Sequence, residues 1–177
     1  MKWIGLAAAV AIVMAGAAFA QPPDYSEEAR TAMSKLGYLI GSWKGTAVVQ
    51  AGPGQATEVT QTEVVESRLD GLVLVVEGLG KAMKPGEPVV HHAVGLISYD
   101  VLARQYQVVA YRQDGQSVIA TGKFLDDGNF QWGFELPGRQ VRYHMGRLQG
   151  DWFETGEFSI DGKTWTTFIE MQLKRIK

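Results

Sequence analysis

Thiol chemistry is closed to this chain, because its 177 residues include no cysteine. Three histidines remain, His91, His92 and His144. Neighbours on a strand point to opposite faces, so His91 and His92 cannot share a metal, and no metal site is expected. Hydrolase and phosphate-binding motifs are missing too. Gly78-Leu79-Gly80 begins like a dinucleotide fingerprint, but Met83 stands where the third glycine belongs. The side chains left to do chemistry are Glu154, Tyr143 and Arg147, set among Trp132, Met145, Trp152 and Trp165. A carboxyl, a phenol and a guanidinium on one face would orient the polar group of a ligand, or form a buried acid with a raised pKa. In the plainer alternative Glu154 pairs with Arg147 internally, as buried charges must. Either arrangement depends on the strands that carry these residues.

Export is expected. Lys2 gives a short positive start, an apolar run follows from Ile4 to Met14, and Ala18-Phe19-Ala20 supplies a small-x-small cleavage pattern before Gln21. Residues 1–20 therefore read as a signal peptide, and 21–177 as one domain. The apolar run is too short to span a bilayer comfortably, so no integral membrane span is expected after cleavage. The remaining charges are scattered, with a net value of about −3 and no basic block, which argues against nucleic-acid binding. With no disulfide to form, the fold must stand on its hydrophobic core.

One helix and about ten strands are predicted. Ser26, Glu27 and Glu28 suit a helix N-terminus, and Ala29, Met33, Leu36 and Ile40 recur at helical spacing, so an amphipathic helix is expected over roughly 26–39. After Gly41 the pattern is that of strands. Turn signals then come at nine places, among them Asp70-Gly71, Asp114-Gly115, Pro137-Gly138, Gln149-Gly150 and Asp161-Gly162. No second helical segment offers a crossover, so an antiparallel meander is expected. Closing it into an up-and-down β-barrel removes the exposed edges.

Two-residue turns set a register for the last hairpins. About Pro137-Gly138, Trp132 faces Tyr143 and Phe130 faces Met145. About Gln149-Gly150, Tyr143 faces Gly156, Met145 faces Glu154 and Arg147 faces Trp152. About Asp161-Gly162, Phe158 would face Trp165 and Trp152 would face Met171. Cross-strand partners share a face, so one inner face collects Trp132, Tyr143, Met145, Arg147, Trp152, Glu154 and Trp165. Arg142, His144, Glu157 and, as an apolar exception, Phe168 fall on the outer face. The orientation of the strands before Phe130 stays open.

The stretch Gly41-Ser42-Trp43-Lys44-Gly45, entered from a short helix, resembles the start of lipocalin-like (calycin) barrels, and Gly-x-Trp-x-Gly also resembles nitrobindin-type heme barrels. The whole mature chain is similar to an exported bacterial family of unknown function with a lipocalin-like fold, much of it through Trp152 to Arg175. The calycin resemblance implies that Trp43 closes one end of the barrel and that a basic side chain from the last strand covers it. Arg175 has the parity to do so by a cation–π contact. The nitrobindin resemblance implies a heme-ligating histidine near the C-terminus. This chain has none after His144, so no cofactor is expected.

The leading expectation for function is an exported barrel that takes a small, largely apolar molecule into its lumen. An envelope interaction protein with a filled barrel is the alternative. A small-molecule enzyme using Glu154, Tyr143 and Arg147, or a heme-binding barrel, ranks below these.

Overall fold

The computed structural model describes residues 23–177 apart from 51 and 53. The expected signal peptide and its cleavage point before Gln21 lie outside the described residues.

The helix α1 runs Ser26–Ser34, and its apolar stripe buries Ala29 and Met33. It is shorter than expected, because the chain turns at Lys35 and Leu36 and adds a separate 3₁₀ turn at Gly37–Leu39. Its N-terminus is also capped differently. The Asp24 carboxylate accepts the Ser26 backbone N–H at 2.9 Å, while the Ser26 hydroxyl accepts from Arg30 at 2.8 Å.

Ten strands follow: β1 Gly41–Gln50, β2 Ala56–Arg68, β3 Val73–Ala82, β4 Val89–Asp100, β5 Gln105–Arg112, β6 Ser117–Phe124, β7 Phe130–Leu136, β8 Arg139–Leu148, β9 Asp151–Ser159 and β10 Thr166–Arg175. Each pairs antiparallel with its sequence neighbours, and β1 also pairs with β10, so the sheet closes into a barrel. Among the described residues, closure leaves no edge strand to template aggregation.

The turn chemistry explains the register. Gln149 and Gly150 both take positive φ, 54° and 95°, the geometry of a two-residue hairpin turn. Across the earlier turn at Pro137-Gly138, where Gly138 has φ 77°, Phe130 lies opposite Met145 and Trp132 opposite Tyr143. Tyr143 lies opposite Gly156, Met145 opposite Glu154 and Arg147 opposite Trp152. These pairings match the sequence reading.

The last hairpin does not. Its loop is wider than two residues, because Asp161 acts as a local hub. The carboxylate accepts the backbone N–H groups of Lys163 at 2.8 Å and Thr164 at 2.7 Å and the Ser159 hydroxyl at 3.0 Å. Those donors hold the Asp161 carboxyl far below the usual carboxylate range. Pairing begins at Phe158 opposite Thr166, and a bulge between Thr167 and Ile169 shifts the partners again. Met171 therefore faces Glu154, and Leu173, rather than Met171, faces Trp152.

Two side chains change face as a result. Trp165 sits outside the barrel, under the Arg142 guanidinium at 3.8 Å. Arg142 itself pairs with Glu157 at 2.7 Å on the outer face. Phe168 turns inward at the bulge, its ring 5.6 Å from that of Tyr143.

The helix end of the barrel is sealed. Met33, Leu36 and Leu39 pack onto a buried layer that includes Trp43, Val65, Leu74, Phe130, Trp152 and Leu173. Burying each such side chain contributes roughly 1.5–3 kcal/mol. Trp43 Nε1 donates to the Leu39 carbonyl at 2.7 Å, and the Tyr106 hydroxyl donates to the Ala32 carbonyl at 2.7 Å. Arg175 lies 4.2 Å over the Trp43 ring and donates to the carbonyls of Ile40 and, at 2.6 Å, Tyr38. One guanidinium thus ties the last strand to the plug that precedes the first.

Candidate functional site

Inward positions behave differently along the barrel. Near α1, Trp43, Val65, Leu74, Phe130, Trp152 and Leu173 are buried, with Tyr99 and Phe124 partly so. Toward the opposite end, Val76 on β3, Ala93 and Gly95 on β4, Ala110 on β5, Trp132 on β7 and Tyr143 on β8 keep accessible surface while pointing inward. Small residues on β3–β5 face aromatic ones on β7–β8 across the lumen. These partly accessible inward positions outline a shallow cup, while Ala47, Val59, Ala82 and Val141 at the same end are buried. Two surface hollows of about 180 Å³ and 460 Å³ lie elsewhere, around Tyr99 and Tyr106 and beside Tyr25 and Leu72, and neither is lined by the acids of the cup.

The floor of the cup carries two carboxyl groups. Glu154 comes from β9, one pleat above Trp152, between Met145 on β8 and Met171 on β10. Glu63 comes from β2, opposite Trp43 on one side and Gly78 on the other. The two tryptophans beneath the acids meet edge to face with ring centroids 5.8 Å apart. Burial, then the nearby Glu63 charge, pushes the Glu154 carboxyl up to about 8. Burial likewise pushes Glu63 up to about 7, opposed by a hydrogen bond from the Gln61 amide at 2.7 Å. At neutral pH the pair therefore carries less than its full charge.

Apart from the Gln61–Glu63 hydrogen bond, the polar groups of the floor find little to satisfy them. Among the described residues no Lys, Arg or His forms an ion pair with Glu63 or Glu154. The expected Glu154–Arg147 pair is not made: Arg147 is exposed at the sealed end, with its guanidinium 5.6 Å from the Tyr38 ring. The Trp152 Nε1–H is buried without a hydrogen-bond partner. It is near enough to Glu154 to oppose the upward shift of that carboxyl, yet no acceptor meets it at hydrogen-bond geometry.

Aromatic rings form one wall. Trp132 and Tyr143 stack with centroids 4.2 Å apart and planes within 6°. Burial, then the Glu154 charge, raises the Tyr143 phenol, and the same two causes raise Tyr38 to about 12, so both phenols stay neutral. Nearer the rim, His91 on β4 and Arg112 on β5 share the inward parity. Arg112 is engaged with Asp114 at 2.9 Å. Burial and the Arg112 charge lower the His91 pKa. His92 points outward to Glu77 at 3.0 Å, and His144 outward to Gln131 at 2.6 Å.

Of the residues singled out in the sequence, Trp132, Tyr143, Met145, Trp152 and Glu154 share the interior. Arg147 lies at the sealed rim, Trp165 lies outside, and Trp43 and Arg175 meet at the plug. Sequence reasoning missed Gln61 and Glu63. A signal existed: a two-residue turn at Asp70-Gly71 pairs Glu63 with Gly78 and Gln61 with Gly80, as observed. A large polar residue facing a glycine on each of two rungs marks a side chain folded over its neighbour strand.

A heme on a C-terminal histidine does not fit, since β9 and β10 carry no histidine and His144 faces out. Among the described residues no group of three metal-ligating side chains forms, and no helix is long and apolar enough to cross a membrane.

No protein-family model matches the chain, and no curated protein matches it closely enough to count. Solved structures do. The crystal structure of Rv2717c from M. tuberculosis is similar with a TM-score of 0.63 at 15% identity, covering 82% of this chain and 98% of that one. The S-type phycobiliprotein lyase CPES from Guillardia theta is similar with a TM-score of 0.62 at 11% identity, covering 88% of this chain and 99% of that one. At these identities the likeness shows the fold alone, a lipocalin-like barrel.

Proposed function

We propose that the protein is an exported barrel that binds a small, largely apolar molecule in the open half of its lumen. The observation that carries this reading is the change along the barrel axis, from a buried aromatic and aliphatic layer at α1 to several inward aromatic and small side chains with accessible surface toward the other end. Binding sites of this kind are concave and mostly apolar, with a few polar groups to orient the ligand, and Glu63, Gln61 and Glu154 match that pattern. Export is supported by Lys2, the apolar run and Ala18-Phe19-Ala20. Native mass spectrometry of protein isolated from its own cell envelope tests both parts. A mass beginning at Gln21 with a retained small molecule is expected. An intact Met1, or protein that stays empty and takes up no apolar probe, counts against the export and binding parts respectively. The buried layer at α1 favours a second reading, a barrel that is mainly a scaffold for its loops. Failure to take up any probe is the result that reading requires.

A further inference from the structure

Both acids at the floor of the cup lack a cation, and this is the feature the binding reading leaves unexplained. A buried carboxyl with no counter-charge is costly, and proteins usually provide an internal partner or leave the residue apolar. Here Glu63 is 7% exposed and Trp152 1% exposed, and Glu154 beside it is partly buried. A carboxylate offers about four acceptor sites, and one Glu63 oxygen receives only the Gln61 amide at 2.7 Å. The orphaned Trp152 N–H stands beside Glu154. Above them the Trp132–Tyr143 stack presents flat π surface. A calcium ion would want about six to eight oxygens, more than two carboxyls and an amide supply.

Resting on the lumen as a ligand site, we propose that its ligand is an organic cation, a protonated amine on a flat apolar body. The ammonium lies between Glu63 and Glu154, and the body lies along the Trp132–Tyr143 wall. An ammonium donates three hydrogen bonds and supplies the missing counter-charge, while aromatic faces attract cations as well as apolar rings. Binding is coupled to protons, because the acids must ionise to receive the cation. The charged and titratable groups facing them are Tyr38 from the 3₁₀ turn, Tyr143 and Arg147 from β8, and, toward the rim, His91 from β4 and Arg112 from β5. Both phenols stay neutral, Arg147 is turned to Tyr38, and Arg112 is held by Asp114. The two acids are thus left to set the pH response.

The test compares 1-naphthylmethylamine with its neutral isostere 1-ethylnaphthalene, titrated into the full protein with tryptophan fluorescence as the readout. At pH 8.5 the amine is expected to bind at least about tenfold more tightly than the isostere. That advantage should shrink at pH 6 and vanish in the Glu63→Gln/Glu154→Gln double variant. If both probes bind equally, or the preference survives the double variant, the cation proposal is wrong while the lumen remains a ligand site. If neither probe binds, both readings fall. Should the double variant not fold, the wild-type comparison of the two probes at the two pH values decides by itself.

Discussion

The Glu63 carboxyl lies directly over Gly78 on the neighbouring strand, in space that only a glycine leaves open. A Cβ at Gly78 would stand 2.6 Å from one Glu63 oxygen and 2.8 Å from the other. Gly78→Ala therefore pushes the acid into the lumen or out of its Gln61 contact. The expected cost is about 1–3 kcal/mol, as for other overpacked interiors, measured by denaturant unfolding. Part of that cost should vanish when Glu63→Gln is combined with it, because the two changes act on one contact.

Stability should fall as pH rises, the opposite of ordinary surface carboxylates. The folded-state pKa values of Glu63 and Glu154, about 7 and about 8, stand above the ordinary 4.5. The folded protein thus binds more protons than the unfolded chain between those limits. The stabilisation is complete below about pH 4.5 and is lost as pH climbs through 7 and 8, at a cost of roughly 3 kcal/mol or more for the pair. Thermal unfolding from pH 5 to pH 9 is the check. Glu63→Gln and Glu154→Gln should each flatten the slope, and Glu157→Gln, on the outer face, should leave it nearly unchanged.

Trp152 and Trp165 should respond very differently to truncation. Trp152 is fully buried against Trp43, and Trp152→Ala should cost about 3–5 kcal/mol through lost burial and a new cavity. Trp165 covers only the Arg142 guanidinium outside the barrel. Its removal should cost about 1 kcal/mol, in the range of an exposed cation–π contact, and leave probe binding unchanged. Equal effects on stability would place Trp165 inside after all.

Arg175→Met should weaken the sealed end. It removes the stack on Trp43 and leaves the Tyr38 and Ile40 carbonyls without their donor. An expected loss of about 1–3 kcal/mol should appear together with faster amide exchange at Leu39–Ser42, and Arg175→Lys should recover only part of it.

The barrel and much of its inner wall were legible in the sequence, because the rules involved are local. Side chains alternate with a period of two, and a two-residue turn such as Gln149-Gly150 sets the register of everything on either side of it. Trp132, Tyr143, Met145, Trp152 and Glu154 therefore share a face for reasons contained in a run of some thirty residues. Asp161-Gly162 looked the same but was not. Its carboxylate gathers donors from Ser159, Lys163 and Thr164, which widens the loop, and a bulge follows. Trp165 and Phe168 exchange faces in consequence. Only the tertiary structure brings Glu63 to Glu154. They lie on β2 and β9, which never pair, and their approach depends on closure through β1 and β10. No local period encodes a meeting across a lumen, so whether an inward carboxyl has a counter-charge is decided only when the barrel shuts.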